Sequence, residues 1–238
     1  MRILYLSPGL RTDESVQNRI DGWSWVPRLL GSDVEIVARG LDQGSENSEG
    51  DFDDYVAGGA VVRKVMHEGK NFDGVVVGDT GDPFVSGLRE YLDVPVVGPM
   101  ESSLMYAGLL AHRFSVITPA KYMIPRKRKQ IDLYGYGNRV ASVRSINMSV
   151  SDVRDNPPKV IESLVDEAKE AVKHDGAQAV IMMCGFMVEY YVDVKTRLGF
   201  PVIDPIRTAL KTVESLVRLN LSQSKILYPA PKEKRRVF

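Results

Sequence analysis

AQAVIMMCGFMVEYY, residues 177–191, contains the single cysteine of the chain at the point where an apolar run gives way to Gly-Phe. Ala179-Val180-Ile181-Met182-Met183 is short, apolar and preceded by Asp175-Gly176, the pattern of a buried strand. Cys184 then stands at the strand's carboxyl end, and the chain turns at Gly185. Apolar residues three and four apart through Val188–Leu198 predict a helix that Gly199 ends. A thiol beside a helix N-terminus meets backbone N–H groups that favour a thiolate and can hold a substrate anion. The same position also suits a buried structural cysteine, since free cysteine is among the most buried residue types.

The arrangement occurs twice. Phe72–Pro83 again runs from an apolar strand, Val75-Val76-Val77, through a glycine turn to a helix start, with Asp79 where Cys184 stands. Asp82 suits the cap of that helix and Pro83 its first position. Downstream, Pro95, Val96 and Pro99 meet Pro201, Val202 and Pro205 at one constant offset. Two related βαβ units follow, so the fold class is α/β with two lobes built on parallel sheets. Their loops should lie at the carboxyl ends of the strands, where open α/β sheets bind ligands. If a pseudo-twofold axis relates the lobes, Asp79 and Cys184 come to opposite walls of one cleft, the placement that inverting a stereocentre requires.

Composition narrows the class. Lysine plus arginine and aspartate plus glutamate each number 31, so no basic surplus points to nucleic acid. One cysteine excludes an internal disulfide framework, and His67, His112 and His174 show no metal-ligand spacing. No apolar run approaches membrane length. These features predict a cytosolic protein with no metal and no membrane partner, acting on a small molecule.

Other loops complete the expected site. The first strand, Ile3–Leu6, is expected to end in a Ser7-Pro8-Gly9 turn, which is either a ligand-binding loop or an ordinary turn. The acidic, glycine-rich stretch 41–54 reads as an exposed loop and a candidate cover for the cleft. Thr118 ends the first strand of the second lobe, and Tyr122 and Phe186 are candidates for shaping the pocket. The run KYMIPRKRK, residues 121–129, reads as a solvated basic face. Backbone amides around Thr80-Gly81 and Gly185-Phe186 are the natural donors to an oxyanion, with the Thr80 and Thr118 hydroxyls as possible assistants or simple turn residues.

Taken in order, Gly81-Asp82-Pro83, Pro95-Val96-Val97-Gly98 with Glu101, Arg113-Phe114-Ser115-Val116, Cys184-Gly185-Phe186-Met187 and Pro201-Val202-Ile203-Asp204 span most of the chain. In this the sequence resembles the aspartate/glutamate/hydantoin racemase superfamily, and within it the hydantoin and allantoin racemase branch. The resemblance implies two flavodoxin-like lobes related by a pseudo-dyad, residues 1–97 with 205–238 and residues 98–204. It also implies a homo-oligomer and cofactor-independent proton transfer at a carbon next to a carbonyl. In the racemases two cysteines, one per lobe, are the bases. Here Cys184 matches the second, and Asp79 stands at the first; Ser7-Pro8-Gly9 also departs from the Asn-Pro-Asn type motif that family members often carry.

Three functions fit this pattern. A racemase or epimerase would use Cys184 and Asp79 on opposite faces of an acidic C–H centre. Free cysteine and aspartate differ by about four to five pH units as bases, so that mechanism asks the fold to bring the two groups closer. A cofactor-free decarboxylase of a malonate-type acid would need Cys184 alone as proton donor, as in arylmalonate decarboxylase, which resembles the same fold and likewise keeps only the second-lobe cysteine. A two-lobed small-ligand binding protein would need no reactive cysteine.

Overall fold

Strand pairing divides the chain into two sheets of four parallel strands, ordered alike. The computed structural model describes residues 1–236; Val237 and Phe238, placed with the first lobe from the sequence, lie outside the described residues. One compact unit comprises Met1–Gly98 and the stretch from Ala209 on, the other Pro99–Thr208.

The first unit begins with β1 (Arg2–Leu10), α1 (Asp13–Asp21) and the short α2 (Val26–Leu29). It continues through β2 (Glu35–Leu41), α3 (Asp51–Glu68), β3 (Gly74–Val77), α4 (Val85–Tyr91) and β4 (Val96–Val97). Its sheet runs β2-β1-β3-β4, and alternate residues Leu4, Leu6, Val75 and Val77 pack with Val61, Val65 and Leu88 of α3 and α4. The opposite set, Ile3, Tyr5 and Val76, is equally buried. A sheet covered on both faces explains why β3 reads as a continuous valine run.

The second unit contains α5 (Pro99–Leu110), β5 (Phe114–Thr118), α6 (Ile124–Leu133), β6 (Val140–Ser145), α7 (Val150–Asp155) and α8 (Pro157–Asp175). It ends with β7 (Val180–Met182), α9 (Tyr191–Thr196) and β8 (Val202–Ile203), in the sheet order β6-β5-β7-β8. One face packs on Leu164, Val165 and Ala168 of α8, the other on Met100, Leu104 and Ile131 of α5 and α6. The last helix, α10 (Pro205–Arg218), starts in this unit and continues in the first. There its buried Glu214 accepts from the Gly31 amide at 3.0 Å and pairs with Lys211 and Arg218.

Several element boundaries differ from the sequence expectation. The strand β1 does not turn at Ser7-Pro8-Gly9 but runs on to Leu10 through an irregular stretch, where Leu10 donates to the Ser45 carbonyl at 2.8 Å. Pro8, lacking an N–H, is tolerated where the ladder is interrupted. The loop expected over 41–54 ends at Gly50, because the Asp53 carboxylate takes the Glu49 and Gly50 amides and starts α3 at Asp51. Asp82 and Pro83 do not open α4: Asp82 and Phe84 are both left-handed, with φ 48° and 66°, so the helix begins at Val85. The helix after Cys184 begins as a 3₁₀ segment, Gly185–Tyr190, before α9.

Candidate functional site

The first unit's candidate residues cluster at the carboxyl edge of its sheet. Beyond β3, the Gly78 amide donates to the Leu6 carbonyl of β1 at 2.7 Å, which sets Gly78 and Asp79 beside Ser7. The Asp79 amide then donates back to Val77 at 2.8 Å, and the Asp82 amide to Asp79 at 3.1 Å. Asp79 is half-buried, and its Oδ1 accepts from the Gly81 amide at 2.6 Å. That amide, a sequence candidate for an oxyanion donor, orients the Asp79 carboxylate. Thr80, Gly81 and Pro8 are buried. Behind the loop, a Cβ on Gly98 would fall 2.2 Å from the Asp82 carboxyl carbon, so glycine there makes room for that buried carboxylate.

The second unit traces the same turn, bond for bond. The Met183 amide donates to Ile117 of β5 at 2.7 Å, the Cys184 amide to Met182 at 3.0 Å, and the Met187 amide to Cys184 at 3.0 Å. Asp79 and Cys184 are thus equivalent positions in backbone geometry as well as in sequence. Ser7 and Thr118 correspond too, each following the residue whose carbonyl receives the turn. The Cys184 side chain is buried among Met182, Met187 and Tyr190, with Phe186 against the same cluster. Gly185 and Phe186 are half-buried and open the 3₁₀ segment, whose Tyr190 hydroxyl donates to Val153 of α7 at 2.8 Å.

Two expected contributors stand differently. Thr118 is fully buried and its hydroxyl donates to Met123 Sδ at 3.7 Å. Tyr122 lies on the 3₁₀ turn that follows Thr118 and is 60% exposed.

Sequence reading missed two polar groups. The run 121–129 is not simply a solvated face: Lys127 is 1% exposed, while Lys121, Arg128 and Lys129 face solvent. Its helical spacing from Ile124 and Ile131, both core residues, was the available signal. Asp204, which follows β8, is buried and caps α10 by accepting from the Ile206 and Arg207 amides at 2.8 and 3.1 Å. Burial pushes its carboxyl up to about 6, against the pull of Arg207 and the capping amides. Among the described residues, no group of three His, Cys, Asp or Glu side chains is placed to hold a metal ion, and no helix is long and apolar enough to cross a membrane.

Comparison with known proteins gives consistent matches. The family described as Asp/Glu/Hydantoin racemase matches residues 24–213. The hydantoin racemase of Pseudomonas sp. (strain NS671) is 35% identical over 206 residues, 85% of this chain and 83% of that protein. The hydantoin racemase of Paenarthrobacter aurescens is 31% identical over 98% of this chain and 99% of its own. The crystal structure of allantoin racemase from Pseudomonas fluorescens superposes with a TM-score of 0.91 at 33% identity, covering 100% of both chains.

Proposed function

The chain belongs to the Asp/Glu/hydantoin racemase family, and we propose that it racemises or epimerises a hydantoin-like substrate without a cofactor, using Asp79 and Cys184 as the two proton-transferring groups. The observation that carries this reading is the repeated turn, which gives the two residues one backbone setting in a chain similar to hydantoin racemases along most of its length. In one direction the Asp79 carboxylate takes the proton from the carbon, whose electron pair moves into the adjacent carbonyl to form an enolate. The Cys184 thiol then delivers a proton to the opposite face, leaving Asp79 protonated and Cys184 as thiolate. The reverse direction exchanges the roles, and solvent resets the pair between turnovers. The Gly81 N–H on Asp79 Oδ1 fixes the carboxylate, which leaves Oδ2 as the more available oxygen.

The test is loss of optical activity from an enantiopure hydantoin. Wild-type protein should bring the rotation to zero, and Cys184→Ala should slow this by about a thousandfold, within the range typical of a lost general acid or base. An inert wild type, or an unaffected Cys184→Ala variant, would overturn the reading. A second reading is favoured by the single cysteine: decarboxylation of a malonate-type acid, with Cys184 protonating the resulting enediolate. It predicts carbon dioxide release that survives Asp79→Asn. An anionic Asp79 would oppose a dicarboxylate bound nearby, so this reading ranks second.

A further inference from the structure

Helix α3 is apolar on two faces. Ala57, Ala60, Val61 and Val65 pack on the sheet of the first unit, as an amphipathic helix requires. On the far side Phe52 is 77% exposed, Tyr55 80% and Met66 43%. Positions 52, 55, 59, 62 and 66 follow one another at spacings of three and four, so they form one stripe along the helix. Large apolar side chains gathered on one exposed face mark an interaction surface. The stripe has a glycine at its middle. A Cβ on Gly59 would meet only the Arg63 guanidinium, at 3.5 Å, so the chain's own packing leaves room for a side chain there. Glycine inside a helix is destabilising relative to alanine, and close approach of another backbone is what it permits.

A groove lies beside this stripe. Val62 and Met66 form one wall, Phe84, Leu88 and Tyr91 the other, and its cavity measures about 580 Å³. Lys232, Lys234 and Arg236 also line it, three cations against the one carboxylate of Glu90. The opposite end of α3 carries the complementary charge: Asp51, Asp53 and Asp54 flank Phe52. Asp53 and Asp54 bond locally, to the Gly50 amide and Ser48, so they act on a partner through their field. Phe52 and Met66 stand fourteen residues apart on one helix, roughly 21 Å. A molecule therefore cannot place Phe52 in its own groove.

We propose that α3 is the contact between two copies of this chain, paired antiparallel about a twofold axis at Gly59, with Phe52 and Tyr55 of each copy filling the groove of the other. Phe52 lies seven residues before Gly59 and Met66 seven after, so the axis brings Phe52 of one copy level with Met66 of the other. Tyr55 comes within one residue of Val62 in the same way. Each acidic helix end then meets the other copy's basic-lined groove, and the surface is self-complementary, as a twofold contact requires. Four aromatic rings at about 150–250 Å² each supply roughly 600–1,000 Å² of the ~1,600 Å² that a stable interface buries. The groove walls supply the remainder. The family resemblance implies a homo-oligomer, and α3 gives it a surface.

Sedimentation velocity and cysteine cross-linking test the pairing without recourse to turnover. Wild-type protein should sediment as a dimer or a multiple of one, and Phe52→Glu combined with Tyr55→Glu should halve the particle mass. Far-UV circular dichroism should stay unchanged, because both side chains are exposed in the single chain. Gly59→Leu should weaken association about tenfold or more by overpacking the crossing point. High salt should weaken it severalfold. In a Cys184→Ala background, Phe52→Cys co-expressed with Met66→Cys should form a disulfide between chains under mild oxidation. Neither variant alone should do so, since like positions lie roughly 21 Å apart in an antiparallel pair. A monomeric wild type, a mass that survives the double substitution, or absence of the mixed disulfide would overturn the pairing. A monomer whose Tm falls on removal of residues 237–238 would assign the groove to the chain's own end instead.

Discussion

Asp204 shows at the level of one residue how the fold holds a charge it would rather not bury. The capping amides and Arg207 favour the carboxylate, yet burial outweighs them and lifts the group to about 6 from an ordinary 3.8. The folded state therefore keeps a proton that the unfolded state has released between pH 4 and pH 6. Stability due to this group is greatest at low pH and falls as pH rises through that window, by about 3 kcal/mol in all. Chemical denaturation of wild type and Asp204→Asn across pH 3.5–7 should show wild type losing stability relative to the variant on going from about pH 4 to 6. A difference that stays flat, or rises with pH, would contradict the assignment. Of the candidate residues, Cys184 and Asp79 stood out in the sequence because each ends an apolar strand at a glycine turn. Lys127 and Asp204 were not, since a charged letter in a polar stretch does not reveal that tertiary packing encloses it.

At the scale of elements, the two copies of the repeated turn solve one packing problem with opposite choices. In the first unit the residue before Asp79 is Gly78, where a Cβ would lie 2.3 Å from the Tyr5 ring. In the second unit the position before Cys184 holds Met183, and the position matching Tyr5 holds Val116. A large strand residue goes with a small turn residue, and the reverse. Gly78→Ala should therefore destabilise by about 1–3 kcal/mol through overpacking. In a Tyr5→Val background the same change should cost at least 1 kcal/mol less, a coupling that denaturant unfolding of the four proteins would measure. Strict additivity would mean that Tyr5 does not set the residue type at Gly78. The helix boundaries here were poorly legible for a related reason. Left-handed φ at Asp82 and Phe84 is a product of tertiary packing, and the sequence alone reads Asp82-Pro83 as an ordinary helix start.

For the whole molecule, the repeat in the sequence was enough to foresee two α/β units, because a parallel strand followed by a tight turn and a helix is a pattern that survives divergence of side chains. The structure extends that repeat to strand order and to individual backbone hydrogen bonds. What the repeat could not reveal is the asymmetry laid over it: aspartate against cysteine, Tyr5 with Gly78 against Val116 with Met183, and a buried lysine in α6. The central claim is that this asymmetry yields two different proton-transferring groups acting on one carbon. Its most direct test is proton NMR of an enantiopure hydantoin turned over in deuterated water, with early-time separation of the enantiomers. Two bases on opposite faces predict deuterium in the inverted enantiomer while recovered starting material keeps its proton. Deuterium appearing equally in both enantiomers, or inversion that leaves the original proton in place, would contradict the account.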